Sequence, residues 1–411
     1  MRGRATRRRL GTLGVLAGVA TLAACASGPT TAPVPGATGA SLTVLIASSS
    51  DAETQAVTQA VAAWSATSGT RATVRAATDI DQELTQDLAS GTPPDLFDVS
   101  AANFAGYAAR GALLPYGDKL GAVSDFSGSL VQQFTYQGKL YCAPRDTSTL
   151  ALVVNTQDWS AAGLPAAAVP TTWDQLAADA KRLTTTGRVG LAFDGTYDRI
   201  GVFLAQAGGA LVAPDGKTAT VDSAANVAAL TYVKQHLVDG TFAYASSLGA
   251  ASGTEAFSAG KAAMTIAGTW VTAALGPDTP YRVVPLPAGP AGLGTLQFSR
   301  CWGIAAASKL PAKAIDLATY LTNPAREADF ATAYGALPSS QSATEAYLAA
   351  FPDRRAFSDS ETFASNPLTL HGTAPVIADL DARLKGLASG DPAGILAAVQ
   401  AELQPVLAKG T

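Results

Sequence analysis

Leu42-Thr-Val-Leu-Ile-Ala-Ser48, continued by Ser49-Ser50-Asp-Ala-Glu53 and closed by Asp95-Leu-Phe-Asp-Val99, is the stretch whose reading decides the fold. Leu42–Ile46 is a short apolar run of strand length, and Ser50 with Glu53 three residues on is a capping box opening a helix to about Ser68. A second strand near Ala72 to Ala77, a helix from about Asp79 to Leu88 and a third strand, Asp95 to Val99, complete the pattern. Strand, helix, strand, helix, strand predicts an α/β fold with a parallel sheet covered by helices on both faces. Ligands of such sheets gather beyond the carboxyl ends of the strands, here the loops starting at Ser48, Ala77 and Ser100. Ser49 and Ser50 lie where a helix N-terminus offers hydroxyls and backbone N–H groups to a ligand oxygen, and Ser50 also reads as the cap itself.

Upstream, residues 26–40 are rich in Pro, Gly and Thr without apolar period, and read with Cys25 as a flexible linker over 25–40. Residues 1–24 carry Arg2, Arg4, Arg7, Arg8 and Arg9 and then an apolar segment too short to span a bilayer, which together read as a signal peptide. Its end, Leu22-Ala23-Ala24-Cys25, resembles the lipobox of bacterial lipoproteins, implying cleavage before Cys25 and a lipid anchor on its thiol. Thr6-Arg7-Arg8-Arg9-Leu10 also looks like a loose twin-arginine signal, so the export route stays open. An extracytoplasmic, lipid-anchored location at the bacterial cell membrane is the expectation.

Without residues 1–24 the chain has 23 Lys+Arg against 32 Asp+Glu, a net charge of about −9. An acidic chain with 15% charged residues argues against nucleic acid as a partner. Its length exceeds what one hydrophobic core usually supports, so two lobes are expected. Beyond Trp159 the chain turns more helical, with Ala/Leu-periodic segments around 173–184, 223–238 and 375–388. Cys142 and Cys301 each sit in a short apolar run, and read equally as a disulfide or as two buried thiols.

Two histidines, His236 and His371, make a histidine metal site or a Ser-His-acid triad hard to build. No phosphate-loop spacing, dinucleotide fingerprint, His-Glu-x-x-His or Cys-x-x-Cys occurs, so neither metal nor cofactor is implied and an enzyme is not expected.

A collinear series of short segments instead resembles the extracellular solute-binding proteins of ABC importers, in the maltose-binding-protein-like sugar-binding family. It begins with Gly91-Thr-Pro-Pro-Asp95-Leu-Phe97, Gly111-Ala-Leu-Leu-Pro115, Gly138-Lys-Leu-Tyr141-Cys142-Ala-Pro144 and Leu150-Ala-Leu-Val-Val-Asn155. It continues through Gly163-Leu-Pro165, Pro170-Thr-Thr-Trp173-Asp174-Gln-Leu176, Phe257-Ser-Ala-Gly260-Lys261-Ala-Ala-Met264 and Gly268-Thr-Trp270. Leu286-Pro287, Trp302-Gly-Ile304 and Gly335-Ala-Leu-Pro338 end it. Two departures stand out. Val154 replaces the family's Tyr before Asn155, and Cys142 replaces a Gly, a change that hints at a bridge to Cys301.

The resemblance implies a two-lobe periplasmic-binding-protein-like fold, with a ligand cleft between lobes joined by hinge strands. Lobe I would comprise 41–152 plus 288–338, and lobe II 157–284 plus 342–411. It implies capture of a sugar, as mono- or oligosaccharide, by a monomer that delivers it to ABC permease subunits. A polyamine, a peptide or a sugar phosphate is the alternative solute, and a lipid-anchored envelope hydrolase or a structural envelope lipoprotein a different role. Trp270, at the end of its strand, falls where the family's cleft Trp lies, and its flat face suits the C–H face of a pyranose. Asp146 and Thr147 fall in the ligand-facing segment after Pro144, where an ionised carboxylate would accept hydroxyl protons. Asn103, Asp146 and Trp302 would serve the first lobe, and Tyr197, Asp198 and Trp270 the second. Arg300 beside Cys301 and His371 in the last cleft loop complete the candidate set. Trp173 is expected to pack its lobe behind a helix capped by Thr172 and Gln175.

Overall fold

The computed structural model describes residues 41–409 apart from 49, 122 and 277. Residues 1–40, read above as a signal peptide and a linker with Cys25 as the expected lipidation site, and Ser49 lie outside the described residues.

Fourteen strands are formed among the described residues. They are β1 (Leu42–Ala47), β2 (Ala72–Ala77), β3 (Leu96–Ser100), β4 (Thr135–Tyr136), β5 (Lys139–Leu140), β6 (Ala143–Thr149) and β7 (Ala151–Asn155), then β8 (Val189–Phe193), β9 (Phe242–Tyr244), β10 (Ala262–Ala267), β11 (Tyr281–Val284), β12 (Thr295–Ile304), β13 (Leu337–Pro338) and β14 (Ala364–Ser365). One sheet has the order β13-β6-β12-β3-β1-β2, with β14 added beside β12, and the second has the order β11-β7-β10-β8-β9. β4 and β5 form a small hairpin. Helices α1 (Asp51–Ser68) and α2 (Ile80–Ser90) connect the first three strands, and α3 (Ala101–Ala109) follows β3.

The opening βαβαβ unit forms as its sequence dictates. Ser50 Oγ accepts from the Glu53 N–H at 3.2 Å and starts α1, while Asp79 caps α2 by accepting from Gln82. β1 is parallel to both β2 and β3. The expectation of a wholly parallel sheet fails beyond β3. β12 runs antiparallel to β3 and β6, because it returns to this sheet from the opposite side after the chain has built the second one. β10 is buried along its whole length, in keeping with an apolar strand covered on both faces.

Two crossings joining the sheets are fastened to each other. β6 belongs to the first sheet and β7 to the second, with only Leu150 between them. The Leu150 N–H donates to the Leu296 carbonyl at 3.2 Å, and the Thr295 hydroxyl donates to the Leu150 carbonyl at 2.8 Å. The chain thus has two α/β lobes on either side of paired crossing strands. One core gathers Leu42, Val44, Trp64, Trp302 and Phe330, and the other gathers Leu152, Trp173, Phe193, Phe203, Met264 and Leu403. Cys142 and Cys301 are bridged, with Cα atoms 5.4 Å apart, which ties the chain just before β6 to β12.

Candidate functional site

A cavity of about 600 Å³ opens where the carboxyl ends of β1, β3 and β10 point toward the other lobe. The first lobe contributes Ser48 after β1, Ser100 to Ala102 where β3 turns into α3, Asp146 to Ser148 on β6, Gln297 to Arg300 on β12, and Tyr334. The second contributes Asp198 and Arg199 at the start of the helix Tyr197–Gln206, and Thr269 and Trp270 after β10. Ser148 Oγ accepts from the Thr269 N–H at 2.9 Å, so the two walls meet at the floor of the cavity.

Beneath the first wall lies a buried charge network set up by a β-bulge. Arg300 pairs with Asp146 but Cys301 pairs with Pro144, which leaves Arg145 with no residue opposite it on β12. Such an extra residue re-aims its side chain. The Arg145 guanidinium turns inward, donates to Glu53 and Asp98, and reaches the Tyr334 hydroxyl at 3.4 Å. Its Nε lies 3.6 Å from Asp146, and Arg300 Nε donates to Asp98 at 2.8 Å. Burial pushes the Asp146 carboxyl up to about 6; Arg145 opposes the rise, while Asp98 and Glu53 add to it.

The second wall is built around Trp270. The Arg199 guanidinium carbon sits 5.1 Å from the centre of the Trp270 ring, and Phe298 meets that ring edge-on at 6.2 Å. Arg199 is held by Asp194, 3.5 Å from its Nε. Gly268 is required here. A Cβ at that position would stand 2.2 Å from the Trp270 ring and 2.4 Å from Ser148 Oγ. Asp198 forms no ion pair among the described residues, and burial raises its pKa, with Arg199 opposing the rise.

Of the sequence candidates, Asp146, Thr147, Asp198, Trp270 and Arg300 line this cavity. Ser50 is engaged as the cap of α1, and its neighbour Ser48 lines the wall. Trp302 corrects the expectation made for it. It is fully buried and packs its ring under Arg145 at 5.1 Å, so it reaches no ligand directly. Tyr197 borders a smaller cavity of about 220 Å³ behind the segment 365–370. Asn103 and His371 face each other's lobe across an adjoining cavity of about 770 Å³. Sequence reading passed over Gln297, Phe298, Ser299, Thr269 and Tyr334. Polar Gln297 and Ser299, alternating with apolar Leu296 and Phe298 in one strand, were the available signal.

The arrangement sets an aromatic ring opposite carboxylate, amide, hydroxyl and guanidinium groups, which suits a molecule with one flat apolar face and a hydroxylated rim. Among the described residues no group of His, Cys, Asp or Glu is placed to hold a metal ion, and no helix is long and apolar enough to cross a membrane.

Comparison with known proteins agrees with this fold. The ABC substrate-binding protein Lmo0181 from Listeria monocytogenes, solved in complex with cycloalternan, shares the fold at a TM-score of 0.82 and 21% identity, over 90% of this chain and 99% of that one. The GacH receptor of Streptomyces glaucescens, solved unliganded and with acarbose, gives 0.78 at 24% identity over 90% and 99%. The diacetylchitobiose binding protein DasA of Streptomyces coelicolor is 31% identical over 141 residues, 33% of this chain, and the match spans about a third (32%) of that relative's length. The family model described as bacterial extracellular solute-binding protein matches residues 58–363, most of the chain. The chain belongs to the bacterial extracellular solute-binding protein family.

Proposed function

We propose that the protein captures a carbohydrate between its two lobes outside the cell membrane and hands it to the membrane subunits of an ABC importer, held at that membrane by lipid on Cys25. The observation that carries the sugar reading is Trp270, whose ring lines the cavity opposite hydrogen-bonding groups from the first lobe. A pyranose ring stacks its C–H face on an indole, and its hydroxyls donate to Asp146 and Asp198 and accept from Arg300 and Gln297. The relatives known to bind acarbose, cycloalternan and diacetylchitobiose support that class of solute. Contacts from both lobes give the solute higher affinity for the closed form, and only such a difference shifts the population toward closure.

The cations of the site argue against a sugar phosphate. Arg145 is engaged by Glu53 and Asp98, Arg300 by Asp98 and Arg199 by Asp194, so each guanidinium already has an acid partner. Asp198, without an ion pair among the described residues, favours instead a polyamine as the second reading. Melting temperature measured against mono- and oligosaccharides, polyamines and sugar phosphates separates these. A ligand at 100 times its Kd adds about 2.7 kcal/mol of stability. A selective shift by one sugar class supports the proposal, and a shift by polyamines alone replaces it.

A further inference from the structure

The adjoining cavity of about 770 Å³ is larger than the one that holds Trp270, and the two share part of their lining. Asp81 and Ala102 border both, and on the second lobe Thr369 faces the inner chamber while Leu370 faces the outer one. α2 and α3 wall the outer chamber on one side, and the segment Leu370–Gly372 walls it on the other. Both lobes therefore contribute to it, so an occupant would add to the free energy of closure as one in the inner chamber does.

Three of its polar side chains are left without hydrogen-bond partners among the described residues. The side chains of Asn103, Arg110 and His371 make no hydrogen bond or ion pair among the described residues, although Arg110 lies over the Tyr107 ring at 5.2 Å. An amide that both donates and accepts, a guanidinium and an imidazole suit the hydroxyls of further sugar rings. Pockets for a single drug-sized molecule run from about 300 to 1,000 Å³. The inner chamber, at about 600 Å³, already meets that need for a disaccharide, and the outer one is surplus to it.

Building on the carbohydrate reading, we propose that the solute is an oligosaccharide longer than a disaccharide, with one end on Trp270 and the other in the chamber between α3 and the segment Leu370–Gly372. Gly106 supplies the test. It lies on α3 against that chamber, and a Cβ there would meet only Arg110 Nη1 and His371 Nδ1 at 3.6 Å, an ordinary contact. Gly106 lines the outer chamber and not the inner one, so Gly106→Trp adds its bulk on the outer wall. Exposed Ala307, which lines the same chamber beyond the end of α3, gives an independent blocking variant, Ala307→Tyr.

Calorimetric titration with malto-, cello- and chito-oligosaccharides of one to five units reads the outcome. The unaltered protein should gain at least tenfold in affinity between the disaccharide and the tetrasaccharide of its preferred series. Both variants should lose that gain while keeping the disaccharide affinity, which also reports that they fold. Affinity that levels off at the disaccharide, or a gain surviving both blocks, overturns the outer chamber and leaves the carbohydrate reading standing. Binding to no member of any series overturns both.

Discussion

Trp302 lies flat beneath Arg145, its ring centre 5.1 Å from the guanidinium carbon, with Tyr334 at 5.8 Å from the same carbon. The stack holds a fully buried cation between Glu53 and Asp98, directly behind residues that line the cavity. Removing one member of a buried ionic network leaves its partners desolvated without compensation, at a cost of about 3–5 kcal/mol. Arg145→Ala is expected to lose that much stability in urea unfolding. A loss below about 1 kcal/mol would mean that water or rearranged neighbours replace the guanidinium.

Trp270 presents its ring to the cavity with Arg199 stacked on it. Trp270→Ala should weaken solute binding at least tenfold, or about 1.4 kcal/mol, while leaving the melting temperature of the free protein nearly unchanged. Gly268→Ala should have a similar effect without touching the ring chemically, because its Cβ would overlap the indole at 2.2 Å. Unchanged affinity in calorimetry for either variant would take the indole out of the site.

The early strands and helices were legible because their signals are local. Ser50 and Asp79 cap helices α1 and α2, and the apolar runs of β1 and β3 fall within a residue or two of their observed bounds. The placement of Trp302 was not. Strand alternation puts it on the same face as Arg300 and Phe298, but two residues along a strand is about 7 Å, enough to carry a side chain from the cavity wall to the core under Arg145. Pattern gives the face of a residue and not its depth. The bulge at Arg145 was equally hidden, since it exists only in the pairing of β6 with β12, strands about 150 residues apart. The division into lobes was implied by family resemblance, because the chain crosses between sheets at Thr149-Leu150-Ala151 with no Gly or Pro to mark the boundary.

Glu327 makes overall stability depend on pH. Its carboxylate is buried, accepts from the Ser339 hydroxyl and from the Ser340 N–H at 2.8 Å, and is pushed up to about 8, burial outweighing both hydrogen bonds. A carboxyl raised in the folded state keeps a proton that the unfolded chain has lost, so stability falls as pH rises from the ordinary value of 4.5 to about 8, and levels off above it. Glu327→Gln should flatten that part of the profile in urea unfolding at pH 5 and pH 8. An unchanged slope would place the dependence elsewhere.

The Cys142–Cys301 bridge closes a loop of sequence separation 159. In the chain-entropy picture such a loop contributes about 5 kcal/mol, and measured bridges commonly give about 2–4. It also ties down the strands on either side of the bulge at Arg145. Replacing both cysteines with alanine should therefore lower stability by about 2–5 kcal/mol and weaken solute binding as Arg145 and Arg300 loosen. Lost stability with full affinity would limit the bridge to holding the fold.

Asp146 makes binding itself depend on pH, in the opposite sense to Glu327. Its carboxyl, raised by burial to about 6 against the pull of Arg145, must be ionised to accept hydroxyl protons from a solute. Around it stand Arg145 and Arg300, which favour ionisation, and Asp98 and Glu53, which oppose it. As pH falls through 6 the carboxyl takes up a proton, and each further unit removes at most about tenfold of affinity. Binding should therefore be weaker at pH 5 than at pH 7.5, and Asp146→Asn should bind less tightly at pH 7.5 yet lose little more on acidification. If that variant keeps the full pH dependence, Asp198, the other raised carboxyl of the cleft, is the group that titrates.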